Sequence, residues 1–192
     1  SEVFFDSNIT IVFEFGSRYG EDTCELALEY PNATIYGFEC NPSTLEELKS
    51  RVSKFDNIVL TPVAIGDQNT RVKFFPINSE KTVTTWVDGN QGASSLFQSS
   101  GKYSIEEYVQ DETEVNMVRL DSFMEEKRIP FIDILWMDIQ GAELMALKGL
   151  GDNLSDVGLI HLEVEFLEIY AGQPLKRDLF AFLDRKSTRL NS

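Results

Sequence analysis

The sequence predicts an α/β protein built on a mostly parallel, twisted sheet with helices on both faces. Three observations predict it. Short apolar runs alternate with helical patterns along most of the chain. Two early runs, Ile9–Phe15 and Thr34–Glu39, end in glycine or acidic residues where a helix then begins. The most apolar run, Phe131–Asp138, also ends in an acid and a glycine-containing turn, as expected of a central strand.

Each element follows from local chemistry. Ile9–Phe15 reads as the first strand. Glu21–Glu29 reads as a helix stopped by Pro31. Thr34–Glu39 is the second strand. Pro42 opens the next helix, with Ser43 and Glu46 spaced as a capping box and Leu45, Leu48 and Val52 on one face. Asn57–Ile65 is a third strand, and Arg71–Ile77 alternates as a half-exposed strand does. Residues 78–104 are rich in Ser, Thr, Gly, Gln and Asn, which marks either a lid or a disordered insertion. Glu114–Arg119 is a returning strand and Leu120–Glu126 a short helix. After Phe131–Asp138, Ala142–Lys148 is a helix closed by Gly149 and Gly151. Val157–Phe166 is a further strand and Leu175–Asp184 a last helix. One domain over residues 1–185 is expected. Residues 186–192 carry no periodicity and are expected to be a non-native or truncated tail, with the final carboxyl-terminal strands of the sheet lacking.

The stretch Glu14-Phe15-Gly16-Ser17-Arg18-Tyr19-Gly20 points to a nucleoside. Gly16 opens room for backbone to approach a ligand. The helix after Gly20 aims free amides into the turn, which includes Ser17 and Tyr19. Glu39, at the end of the next strand, is placed to accept both hydroxyls of a ribose. The dinucleotide fingerprint needs an earlier glycine than this chain has. A ligand with ribose but no pyrophosphate therefore fits better, S-adenosyl-L-methionine being the common one.

A second constellation surrounds Asp138. It ends a buried strand, where an acid must be hydrated, paired or functional. Glu143 lies in the first turn of the following helix, where the helix dipole favours a carboxylate. His161, Glu163 and Glu165 alternate along the next strand and are expected on one face. Asp138 is the first candidate for a catalytic base, with Glu143 and Glu163 next. Trp136 and Met137 read as core.

With 17 basic and 32 acidic residues, the formal charge is −15. Such a surface repels nucleic acid and anionic membranes. Two cysteines, Cys24 and Cys40, make no disulfide framework, and no Cys/His cluster suggests zinc. No metal centre is expected, although Asp138 with a neighbouring carboxylate is the oxygen pair a hard cation takes. No secretory or membrane-spanning run is present, so a cytoplasmic location is expected.

In order and spacing, the pieces resemble the FkbM-type family of methyltransferases. The resemblance rests on Phe13-Glu14-Phe15-Gly16 through Gly20, and on Gly37-Phe38-Glu39-Cys40-Asn41-Pro42. It continues through Pro62-Val63-Ala64-Ile65-Gly66-Asp67, Ala93-Ser94-Ser95-Leu96 and Val118-Arg119-Leu120-Asp121-Ser122-Phe123. It ends on Asp138-Ile139-Gln140-Gly141-Ala142-Glu143 with Leu147-Lys148-Gly149. It implies a Rossmann-like class I fold and transfer of a methyl group from S-adenosyl-L-methionine, usually to a hydroxyl on a sugar, glycan or secondary metabolite. It implies Glu14 and Gly16 at the methionine end of the cofactor, Glu39 on the ribose, and Cys40, Val63 and Ala64 around the adenine. Asp138 would lie near the methyl, and Ser94 and Ser95 in a mobile segment above it. Gln140 stands where the family more often has Glu, and Val63 and Ala64 where many class I enzymes have an Asp. A nicotinamide-dependent oxidoreductase or epimerase, and an inactive binding module, stay open as alternatives.

Overall fold

In a computed structural model that describes residues 8–190, with side chains to residue 185, the expected α/β architecture is present. Strands β1 (Ile11–Phe15), β2 (Thr34–Phe38), β3 (Ile58–Thr61), β7 (Ile132–Met137) and β8 (Val157–Leu162) form one sheet in the order β3-β2-β1-β7-β8. All four strand pairs are parallel, with Val12 opposite Ile134 and Phe15 opposite Met137 across the β1–β7 seam. The strand order reverses at that seam, so the carboxyl ends of β1 and β7 flank a crevice of the kind in which open α/β sheets bind ligands. Helices α1 (Glu21–Glu29), α2 (Leu45–Val52), α3 (Leu120–Lys127) and α4 (Glu143–Gly149) complete the crossovers, and α5 (Lys176–Leu190) follows β8.

Alternation along β1 sorts its side chains. Phe13 and Phe15 enter a core with Phe38, Phe123, Leu135 and Met137. Phe38 meets the rings of Phe15 and Phe123 edge-on at 5.2 and 5.0 Å, a favoured aromatic arrangement. Val12 faces the opposite side with Ile35, Ile134 and Ala27. Glu14 shares that parity and is buried with them.

Three expectations are corrected. The third strand is two strands. Pro62 interrupts it, Val63 N–H bonds back to the Thr61 carbonyl at 2.9 Å, and β4 (Ala64–Gly66) leaves for a second sheet. That sheet has the order β4-β6-β5, with β5 (Thr70–Phe74) antiparallel and β4 parallel to β6 (Thr113–Arg119). The capping box of Ser43 and Glu46 does not form. Asn41 replaces it, its side-chain oxygen accepting from Ser43 N–H at 3.0 Å while Thr44 closes the turn onto the Asn41 carbonyl. The strand expected over Val157–Phe166 stops at Leu162, so Glu163 and Glu165 lie on the loop beyond it.

The polar 78–104 segment packs on the domain. Antiparallel bridges link Phe75 to Ser95, Ile77 to Gln110, Val83 to Glu107 and Ser99 to Tyr170. At the other end, α5 runs past Asp184 to Leu190, taking in backbone of the expected tail, while residues 191–192 lie outside the described residues. Among the described residues, no helix is long and apolar enough to cross a membrane.

The seam itself is tightly built. Gly16 has φ +91°, and a Cβ there would stand 1.9 Å from the Asp138 carbonyl oxygen. The room that Gly16 provides is thus taken up by the chain's own backbone. Gly16→Ala is expected to cost about 2–5 kcal/mol from overlap and left-handed strain together. Urea unfolding measures it, and a loss of under about 1 kcal/mol would contradict this role.

Candidate active site

The crevice opens into a cavity of about 370 Å³, a size suited to a small-molecule ligand. Phe15 and Gly16 from the end of β1, and Phe38 to Asn41 from the end of β2, form one side of it. Asp138 to Gln140 follow β7, and Glu163 and Glu165 follow β8. The 78–104 insertion closes the remaining side.

Glu39 is the best-held acid in the cavity. Only 8% exposed, it accepts Arg18 N–H at 2.7 Å and Asn41 N–H at 2.6 Å. Arg18 can present its N–H because it is left-handed, with φ 48°, directly after the turn at Gly16. Gly16 and Ser17 in turn donate to the Phe38 carbonyl at 3.0 and 3.1 Å. The carboxylate is therefore fixed by backbone, with acceptor capacity left over for the cavity. Burial pushes its pKa up to about 7, against those hydrogen bonds. Cys40, Val63 and Ala64 line the cavity beside it. Burial raises the Cys40 thiol well above its ordinary range, so it packs as a neutral group.

Glu14 stands elsewhere than the reading of the turn placed it. Its side chain lies beneath the turn and accepts hydroxyl hydrogen bonds from Ser17 and, at 2.8 Å, from Thr23. Neither Glu14 nor Ser17 lines the cavity, and both hold the turn from below. Tyr19 and Gly20 also stay off the cavity wall. Tyr19 packs under the Arg18 guanidinium at 5.1 Å, and Gly20 caps α1 with φ 88°.

The acids around Asp138 divide. Asp138 faces the cavity at the end of β7, its N–H bonded to the Phe15 carbonyl at 3.0 Å. Glu163 also faces the cavity, hydrogen-bonded to Asp138, and burial together with the Asp138 charge raises its pKa to about 7. Glu143 is buried and turned away. It accepts Ile139 N–H at 3.1 Å and Gly141 N–H at 3.3 Å, so it shapes the turn that carries Asp138. His161 does not line the cavity. Its ring stacks on Trp136 at 3.8 Å, and Trp136 is half-buried where core was expected. Among the described residues, no group of three His, Cys, Asp or Glu is disposed to hold a metal ion.

Further side chains tie the insertion to the site. Arg18 spans from the turn to the insertion, ion-paired with Asp88 at 2.5 Å and lying over Trp86 at 5.5 Å. Asn41 reaches Ser94 at 3.1 Å, which ties Ser94 down. Ser95 donates to the Gln140 carbonyl at 2.7 Å. The roles of Arg18 and Asp88 carry no local signal, whereas Asn before Pro at Asn41 favours a side-chain-capped turn.

A Rossmann-like parallel sheet with an acid-lined cavity at its switch point is the arrangement in which open α/β folds bind ligands. Comparison with known proteins narrows the class. The family model for the methyltransferase FkbM domain matches residues 14–190, and the chain belongs to that family of methyltransferases. A protein from Sinorhizobium fredii named 2-O-methyltransferase NoeI is 28% identical over 169 residues, covering 86% of this chain and 68% of that one. A protein of Beauveria bassiana named Methyltransferase 1 is 23% identical, covering 77% of this chain and 61% of its own. A crystal structure of methyltransferase FkbM from Methylobacillus flagellatus shares the fold, with a TM-score of 0.59 at 15% identity over 98% of this chain. This chain spans 39% of that larger one. Family membership sets the nicotinamide reading aside.

Four acids here are raised furthest: Glu14 to about 8, and Glu39, Glu143 and Glu163 to about 7. A carboxyl that holds its proton more tightly when folded contributes stability below its unfolded pKa and loses it as pH rises through the folded value. Thermal stability is thus expected to fall from about pH 5 to pH 8. Glu14→Gln, which keeps a neutral group at the most shifted position, should flatten part of that slope. Melting curves across this range check it, and an unchanged slope in the variant would contradict the assignment.

Proposed function

We propose that the cavity binds S-adenosyl-L-methionine and that the chain transfers its methyl group to a hydroxyl oxygen of a sugar, glycan or secondary metabolite. The observation that carries this reading is Glu39. A buried carboxylate fixed by two backbone N–H groups, with free lone pairs on a cavity, is matched by a donor pair such as the two ribose hydroxyls. Cys40, Val63 and Ala64 line the cavity beside it with apolar atoms suited to a purine ring. The cofactor, when bound, supplies a methyl group already activated by a sulfonium. The chain therefore has mainly to align and deprotonate the acceptor, and alignment alone lowers such barriers by several kcal/mol.

Asp138 is the group placed to orient the acceptor hydroxyl and accept its proton. Beside it, Glu163 is held protonated to about pH 7 by burial and by the Asp138 charge. Transfer is expected to rise between about pH 6 and pH 8 as that proton leaves. The names of relatives, one of them a 2-O-methyltransferase, support oxygen as the acceptor atom. The insertion, with Trp86 and Tyr103 on the cavity, and Tyr108, on the cavity just after the insertion in sequence, are the parts of the chain suited to select the acceptor. A reducing, cytoplasmic setting is consistent with Cys24 and Cys40 both being free thiols.

Two variants test the reading. Glu39→Ala should weaken binding of S-adenosylhomocysteine by about 1.5–3 kcal/mol, roughly ten- to a hundred-fold, as titration calorimetry reads it. Asp138→Asn should retain that binding within a few-fold and lose methyl transfer to a hydroxylated acceptor. Unchanged affinity in the first removes Glu39 from the site. Normal turnover in the second removes Asp138. A wild-type chain that binds but never transfers would be a binding module.

A further inference from the structure

Gln140 occupies a strained position and is held by contacts at its backbone and at both ends of its side-chain amide, although only half-buried. Its backbone is left-handed, with φ 52°. Its side-chain N–H₂ donates to Asp138 Oδ1 at 2.6 Å and to Glu163 Oε2 at 3.1 Å. Two carboxylates accept and cannot donate when ionised, so the amide nitrogen must be the end that faces them. The amide oxygen then points away, and the Tyr170 hydroxyl lies 2.8 Å from it. That hydroxyl is also 2.8 Å from the Ala93 carbonyl, so its single proton serves two acceptors.

Tyr170 is well placed to hold this arrangement. It is 1% exposed, and its ring stacks with Tyr108 at 6.3 Å. Its backbone N–H is bonded to Gln173 Oε1 at 2.5 Å. Its strand-like segment bridges to Ser99, and Ala171 N–H bonds the Gln98 carbonyl at 2.8 Å. Gln140 is thus gripped on its oxygen by a rigid phenol and on its carbonyl by Ser95, both linked to the insertion.

We propose that Tyr170 and Gln140 form a positioning relay: the phenol fixes the Gln140 amide, and the two amide N–H bonds hold Asp138 and Glu163 together beside the acceptor hydroxyl. The proposal rests on the assignment of Asp138 to methyl transfer. Neither relay residue exchanges a proton with the acceptor. The relay also links the insertion to the acids, because Ala93 and Ser95 share its partners. The groups facing Glu163 are Asp138 from the end of β7, Glu143 from α4, Glu165 on its own loop, and the Tyr170 phenol. No lysine or arginine is among them, so the amide is the donor that steadies the ionised form.

The test is a carbon-13 carboxyl NMR titration of Glu163 in the whole chain, which needs no acceptor. Gln140→Met removes both donors and should raise the Glu163 midpoint by roughly half a pH unit or more, because a bond to the charged form is lost. Tyr170→Phe touches neither acid, yet should move the midpoint in the same direction. A purely structural Tyr170 would lower the melting temperature and leave the titration where it was. Movement in both variants supports the relay. Movement in Gln140→Met alone, or in neither, overturns it. Calorimetry with S-adenosylhomocysteine on the wild type and Tyr170→Phe reads the cofactor assignment separately, since Tyr170 lies off the cavity wall and its variant should bind as the wild type does.

Discussion

The structure depends on how closely the ends of β1 and β7 meet. Gly16 has no side chain, and the Asp138 carbonyl fills the space a Cβ would need. Because that turn is tight, Gly16 and Ser17 reach the Phe38 carbonyl, and Arg18 presents its N–H to Glu39. One close backbone approach therefore sets three things: the switch point of the sheet, the fixed carboxylate over it, and the position of Asp138. A bulkier residue at Gly16 would separate all three together.

Burial of charge around that seam follows one rule. Acids that lie under the turns are satisfied inside the chain, Glu14 by two hydroxyls and Glu143 by two backbone N–H groups. Acids that face the cavity keep capacity free, as Glu39 and Asp138 do. The distinction separates supports from contacts better than exposure does, since Glu14, Glu39 and Glu143 are all buried. It also explains why so many acids cluster in one small region. Each has donors on one side, and proton retention lowers the charge that must be carried without a basic partner.

Much of the fold was legible because the strands are short, apolar and punctuated by Gly and Pro. Glu39 and Asp138 were legible for the same reason, being acids that end buried runs. Glu14, which the resemblance puts at the methionine end of the cofactor, lies off the cavity wall, since the turn motif says nothing about parity. In a strand, alternate residues face opposite sides, and Glu14 shares its side with Val12 and α1 rather than with the cavity. His161 was grouped with Glu163 by assuming one unbroken strand, and the strand ends between them. Pro62 was read through rather than as a break, which hid the second sheet. Tyr170 and Arg18 left no local trace, because their contacts are made across the fold with the insertion. Long-range polar pairings of this kind depend on tertiary placement that no periodicity encodes.

The most direct measurement is a crystal structure of the chain soaked with S-adenosylhomocysteine. The account predicts the ribose hydroxyls on the Glu39 carboxylate, the purine against Cys40, Val63 and Ala64, and the sulfur turned toward Asp138. A nucleoside bound elsewhere, or bound in the crevice with Glu39 untouched, would contradict it.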